Sequence, residues 1–117
     1  MADPLITKTQ LAQLIANGAR SAKGEIIDPR PVVNLLTPDA GATWLLTEAD
    51  PDEPDRVFGL CDLGLGQPEL GYASLAEIRS VRGQLRLPVE RDLYFTAKHP
   101  LSWYTMHASQ NGLIVTD

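Results

Sequence analysis

The segments Ala42-Thr43-Trp44-Leu45-Leu46-Thr47-Glu48 and Arg56-Val57-Phe58-Gly59-Leu60-Cys61-Asp62 flank an acidic, proline-containing bend. Their aromatic and aliphatic content and their strand-like lengths predict two antiparallel strands. Side chains alternate across a strand, so Trp44, Leu46 and Glu48 share one face, and Thr43, Leu45 and Thr47 the other. Phe58, Leu60 and Asp62 likewise share a face. Upstream, Pro38-Asp39-Ala40-Gly41 reads as a turn, which makes Val32 to Thr37 the partner strand. Pro31 has no N–H for a ladder and marks where that strand begins. Together the three predict an antiparallel meander.

Working outward, Thr7 with Gln10 forms a capping box that opens a helix, with Leu11, Leu14 and Ile15 on its apolar face. Asn17-Gly18 is the expected stop, because both residues tolerate the left-handed turn, with a short continuation through Ala22 as the alternative. Beyond the meander, Gly64, Gly66, Pro68 and Gly71 predict an irregular crossing or a close backbone approach. Ser74 and Glu77 make a second capping box, and the short helix it opens holds Leu75 and Ile78. Arg91 to Thr96 reads as a fourth strand. Pro100 suits the first position of a final helix through Ser109, closed by Asn111-Gly112. Leu113 to Val115 is an edge strand or a packed tail. The reading is a single compact α+β domain over 1–117, core about 5–112, with a small antiparallel sheet and helices near both termini.

Composition narrows the function classes. The chain has 117 residues, 44% of them hydrophobic and 21% charged, an ordinary globular balance. One cysteine, Cys61, excludes an intrachain disulfide framework and a cysteine-based zinc cage. The net charge of −5 argues against a sequence-independent grip on duplex DNA, which depends on neutralising phosphates. The charge is unevenly placed: residues 39–77 carry nine acids against Arg56 alone. Glu48, Asp50, Asp52, Glu53 and Asp55 lie close together there, which reads either as a solvated loop or as a face for a basic partner. No secretory signal or membrane-length apolar run is visible, so a cytoplasmic protein with no membrane association is expected.

Catalytic motifs are weak. Gly64-Leu65-Gly66 lacks the Lys-Ser or Lys-Thr ending of a phosphate loop. Asp39, Glu48, Asp62 and Glu69 are the carboxylates nearest the glycine-rich or aromatic-rich segments; Asp62, which ends an apolar strand and opens the glycine loop, reads either as a turn aspartate or as part of a carboxylate site for hydrolysis or ligand binding. His99 and His107 lie two helical turns apart, and even with Asp92 or Glu90 their spacing specifies no metal site. Arg79, Arg82, Arg86 and Arg91 form a sparse basic series that contacts phosphate, covers the core or pairs with Glu69, Glu77 and Glu90. Trp44 and Trp103 read as core; Tyr72 and Tyr104 read as boundary residues, since a buried phenol needs a partner.

The stretches Thr37-Pro38-Asp39-Ala40-Gly41-Ala42-Thr43-Trp44-Leu45-Leu46-Thr47-Glu48, Phe58 to Gly66, Pro68-Glu69-Leu70-Gly71-Tyr72 and Pro88-Val89-Glu90-Arg91-Asp92-Leu93 resemble a bacterial family of unknown function, catalogued as domain-of-unknown-function number 2958. The resemblance runs from about Leu5 to Gly112. It implies a passenger of conjugative elements and plasmids and supplies no catalytic residues. From this follows the expectation of a non-enzymatic protein-interaction accessory module of a mobile element, meeting a cytoplasmic protein or nucleoprotein complex. The residues expected to bind that partner are Asp50, Asp52, Glu53, Asp55, Asp62, Glu69, Tyr72 and Trp103. Inhibition of a nucleic-acid-binding defence system by acidic DNA mimicry is one alternative, and a carboxylate site around Asp62 the other. No cofactor, metal or catalytic residue is expected; the oligomeric state is left open.

Overall fold

The computed structural model describes residues 5–116. The first four residues and Asp117 of the expected domain span lie outside it. The elements are α1 (Lys8–Ala22), β1 (Val33–Leu36), β2 (Thr43–Ala49), β3 (Arg56–Asp62), β4 (Glu69–Ser74), α2 (Leu75–Ser80), β5 (Glu90–Arg91) and α3 (Leu101–Asn111). The five strands form one antiparallel sheet in the order β4-β3-β2-β1-β5. The predicted meander is its centre, and the fold is α+β with a helix near each end.

Both faces of the sheet are covered. Val33, Leu35, Trp44, Leu46 and Val57 join Leu14 of α1 and Leu75 and Ile78 of α2 in the larger core. On the opposite face Leu45 and Leu60 pack with Leu101, Tyr104 and Ala108 of α3. Trp44-Leu45-Leu46 is therefore buried on alternate sides without a polar interruption, as a strand between two helical layers requires.

A β-bulge reverses the predicted facing at the end of β2. Leu46 pairs with Gly59 but Glu48 pairs with Phe58, which leaves Thr47 as the extra residue. Glu48 consequently lies on the Leu45 face, not the Trp44 face. Thr47 is fully buried; its hydroxyl donates to Phe58 O, and its carbonyl accepts from the Asn17 side chain at 2.9 Å.

That contact also explains why α1 passes Asn17-Gly18. The capping box at Thr7 and Gln10 is present in both directions, at 3.1 and 3.0 Å, yet the helix continues to Ala22. Asn17 is buried against the bulge, with Gln13 donating to its side-chain oxygen. A Cβ on Gly18 would stand 1.9 Å from the Ala49 carbonyl oxygen. Gly18 is thus a close-approach residue that lets the helix backbone reach β2, and not a stop.

Three further expectations change. The glycine-rich stretch contains β4, a regular edge strand over 69–74. The strand predicted for Arg91 to Thr96 is reduced to Glu90–Arg91, because Asp92 ends it: its carboxylate accepts from Tyr94 N at 2.9 Å and from the Asn34 amide. Tyr104 is core rather than boundary, 1% exposed, and its hydroxyl accepts from Lys98 N at 3.0 Å. After α3, Gly112 takes the left-handed conformation with φ 73°, and residues 113–116 form a tail, not a strand.

Two helix N-termini are capped from a distance. Pro100 makes no side-chain cap for α3; Asp28 accepts from Ser102 N at 3.0 Å and from the Ser102 hydroxyl. For α2, Ser74 accepts from Glu77 N, while Asp55 accepts from Ala76 N and from the Ser74 hydroxyl. In each case a carboxylate meets the positive end of a helix.

Candidate functional site

The bulged end of β2, the start of β3 and the middle of β4 meet the C-terminal half of α1 around an open groove of about 200 Å³. Gly18, Glu48, Asp50, Arg56, Phe58 and Tyr72 line it. Pairing across β3 and β4 sets Phe58 opposite Tyr72, with ring centroids 5.1 Å apart. The Arg56 guanidinium lies over the Tyr72 ring, 4.1 Å from its centroid. Arg56 is the one cation of the acidic middle, and it is spent on an aromatic face. Among the described residues the single ion pair is Arg20–Glu25, on α1 and the segment after it.

The nine acids of residues 39–77 divide into two sets. Asp39, Asp50, Asp55 and Asp62 serve the backbone. Asp39 accepts from Leu85 N at 2.6 Å and so holds the 83–86 turn. Asp50 accepts from Asp52 N within its own loop at 2.8 Å. Asp55 caps α2; its bonds from Ser74 and Ala76, with Arg79 nearby, hold its carboxyl below the usual carboxylate range against a smaller desolvation effect. Asp62 is 3% exposed and accepts from Gly64 N at 2.8 Å and Ile114 N at 3.1 Å. It is the turn aspartate, clasping the glycine loop to the tail, and it offers no surface to a partner.

Glu48, Asp52, Glu53, Glu69 and Glu77 make no side-chain hydrogen bond or ion pair among the described residues. Of the expected partner-binding residues, Asp50, Asp52, Glu53, Asp55 and Tyr72 gather at this end of the sheet. Glu69 pairs with Cys61 at the other end of β4, beside Asp62. Trp103 stands apart on α3. Sequence reading counts Glu48 with the acidic cluster and the candidate carboxylates, but strict alternation puts it on the wrong face; Arg56 reads only as a lone counter-charge. The strand period around Phe58, which sets Arg56 beside the Tyr72 position, was the available signal.

Trp103 forms the second candidate cluster. His99 stacks on its ring at 3.9 Å and 17°, and His107 lies on it at 3.8 Å and 30°. Tyr104 meets the indole edge-on at 5.2 Å. The two histidines considered as ligands therefore bracket an indole, and no group of three His, Cys, Asp or Glu side chains among the described residues is placed to hold a metal ion. Cys61 is half-buried, and burial pushes its thiol up from its ordinary value, as for a small packed side chain. The basic series is dispersed too: Arg82 donates to the carbonyls of Arg79 and Val81 at the end of α2 and pairs with no carboxylate. No helix among the described residues is long and apolar enough to cross a membrane.

A small α+β domain with an acidic, aromatic groove at one end of its sheet is the class these features define. The chain belongs to the family described as "Protein of unknown function (DUF2958)", whose family model matches residues 5–115. Comparison with curated proteins and with solved structures found no match.

Proposed function

We propose that this chain is a non-enzymatic protein-interaction module serving a bacterial mobile element, and that its acidic sheet end engages a basic surface of a cytoplasmic protein or nucleoprotein partner. One observation carries the reading: Arg56 is turned onto Tyr72, so Glu48 at the groove and Asp52 and Glu53 in the adjoining β2–β3 loop are left without an ion-pair partner among the described residues, beside an aromatic floor. Such a field steers a cationic partner, and the aromatic pair gives it area to bury. The carboxylates a hydrolytic site would need are engaged elsewhere: both oxygens of Asp62 and of Asp55 accept hydrogen bonds that hold the fold. Asp52 and Glu53 are then the open carboxylates of the loop, a compact charge suited to a basic protein surface.

The test begins with the purified protein as bait in bacterial lysate at physiological and high salt. The captured protein is then expressed and its affinity measured directly. Replacing Glu48, Asp52 and Glu53 by their amides is expected to weaken binding at least tenfold and to flatten its salt dependence. A partner whose affinity ignores all three substitutions refutes the assignment of this face. A partner displaced by short duplex DNA brings mimicry forward.

A further inference from the structure

The two edges of the sheet differ. β5 is two residues long, a short edge of the kind that resists further pairing. β4 is six residues long, is bonded to β3 on one side, and receives no backbone hydrogen bond from any loop or terminus among the described residues. It carries no lysine and no internal proline, the usual guards of an exposed edge. On its α3-side face Leu70 and Tyr72 are 47% and 64% exposed. Tyr72 is nevertheless held, by Phe58 and Arg56, so its ring is positioned before anything docks.

Gly71, between them, has no cause within the chain. Gly18 and Gly59 each exclude a Cβ, which would stand 1.9 Å from a backbone oxygen; at Gly71 a Cβ would meet nothing within 4 Å, and φ lies outside the left-handed region. A side chain at this position would stand out from the sheet into open space, so position 71 leaves the strand edge clear for pairing.

We infer that β4 is a self-pairing edge: two copies of the chain join antiparallel across a twofold axis at Gly71, forming one continuous ten-stranded sheet. Opposed residues of an antiparallel pair share a face, so the axis lies midway between one residue and its own copy, opposing that residue to itself. Centred on Gly71, the register sets Leu70 opposite the second copy's Tyr72, and Glu69 opposite its Ala73. Both exposed apolar side chains are then covered twice over, and no like charges are opposed. Centring on Leu70 leaves Tyr72 facing Pro68, and centring on Tyr72 leaves Leu70 facing Ser74. Each of those registers opposes one apolar residue to its own copy and leaves the other without an apolar partner; the Gly71 register gives both Leu70 and Tyr72 one, the self-complementarity that a twofold interface demands. A single short strand pair is a small interface, so the dimer is expected to be weak, with a micromolar dissociation constant.

Sedimentation equilibrium or light scattering from micromolar to submillimolar protein reads the mass. The expected result is a rise from 12.8 kDa toward twice that value. The double variant Leu70→Lys/Tyr72→Lys, with an unchanged circular dichroism spectrum, is expected to raise the dissociation constant at least tenfold. In a Cys61→Ser background, Gly71→Cys is expected to oxidise to a disulfide-linked dimer, since residues opposed across the axis lie within disulfide reach. Glu69→Cys, which faces Ala73, is expected to give little. A monomeric mass at every concentration overturns the inference. So does a dimer that survives both lysines, or equal crosslinking from positions 69 and 71.

Discussion

Replacing Gly18 by alanine tests whether the close packing of α1 on β2 holds the larger core together. In a solvent-facing helix this change is stabilising, by about 1 kcal/mol of helix propensity. Here the new methyl carbon would lie 1.9 Å from the Ala49 carbonyl oxygen and 2.9 Å from its carbon. Relief means moving one backbone away from the other by more than 1 Å, since 3.0 Å is the shortest contact that real Cβ atoms show. Overpacking of this kind costs about 1–3 kcal/mol. The same displacement stretches the 2.9 Å bond from Asn17 to the Thr47 carbonyl one residue away. Losing a buried bond of that type costs about 1–3 kcal/mol more. Set against the propensity gain, the net expectation is a loss of about 1–5 kcal/mol, centred near 3. Urea unfolding followed by circular dichroism reads this as a midpoint lowered by about 1–2 M, given the slopes of small domains. Gly71→Ala is the control: its Cβ meets nothing, so it is expected to be neutral or stabilising by up to about 1 kcal/mol. A Gly18→Ala protein as stable as the parent, or more so, refutes the close-approach argument, because the sign itself is opposite to the propensity effect.

Asp62→Asn keeps the size of the side chain but replaces one of two accepting oxygens with a donor, so either Gly64 N or Ile114 N faces an N–H group. A loss of about 1–3 kcal/mol is expected in urea titration, and unchanged stability would mean that the clasp does not hold the tail. Asp55 supplies a pH test. Its carboxyl is held below the ordinary value of 3.8 in the folded chain, so its stabilisation is complete above that value and is lost as pH falls through the folded one. The stability gap between the parent and Asp55→Asn is therefore expected to narrow as pH drops from about 5 toward 2. A gap that is constant or widens in acid would show that the capping bonds do not depend on the ionised carboxylate.

The meander was legible because strands announce themselves by alternation and by turn residues, and Pro38 to Gly41 sits where the β1–β2 turn forms. The α1 cap was legible because a capping box is local: Thr7 and Gln10 are three residues apart. What escaped is set by tertiary partners. Gly18 reads as a stop until the Ala49 carbonyl is placed against it. The Thr47 bulge has no signature of its own, and it alone decides which face Glu48 takes. Asp28 reaches Ser102 across 74 positions, beyond any window of local pattern. The groove suffered most, since Arg56, Tyr72 and Glu48 come from three strands whose register a single chain does not display. Glu69 and Trp103 looked like members of one surface by type, yet the sheet sets them away from it.

The two-sided burial of β2 bears on the order in which this protein can be completed during synthesis. Chains emerge N-terminal end first, so α1 and the meander are available before α3 exists. The Trp44 face can close early, with Leu14 and then α2 arriving in turn. The Leu45 face has to wait for Leu101, Tyr104 and Ala108, and the Asp62 carboxylate waits longer still, for the amide of Ile114. A nascent sheet of this kind is wet on one side and dry on the other. Until residues 101–114 follow, Leu45 and Leu60 form an apolar surface of the sort that chaperones shelter.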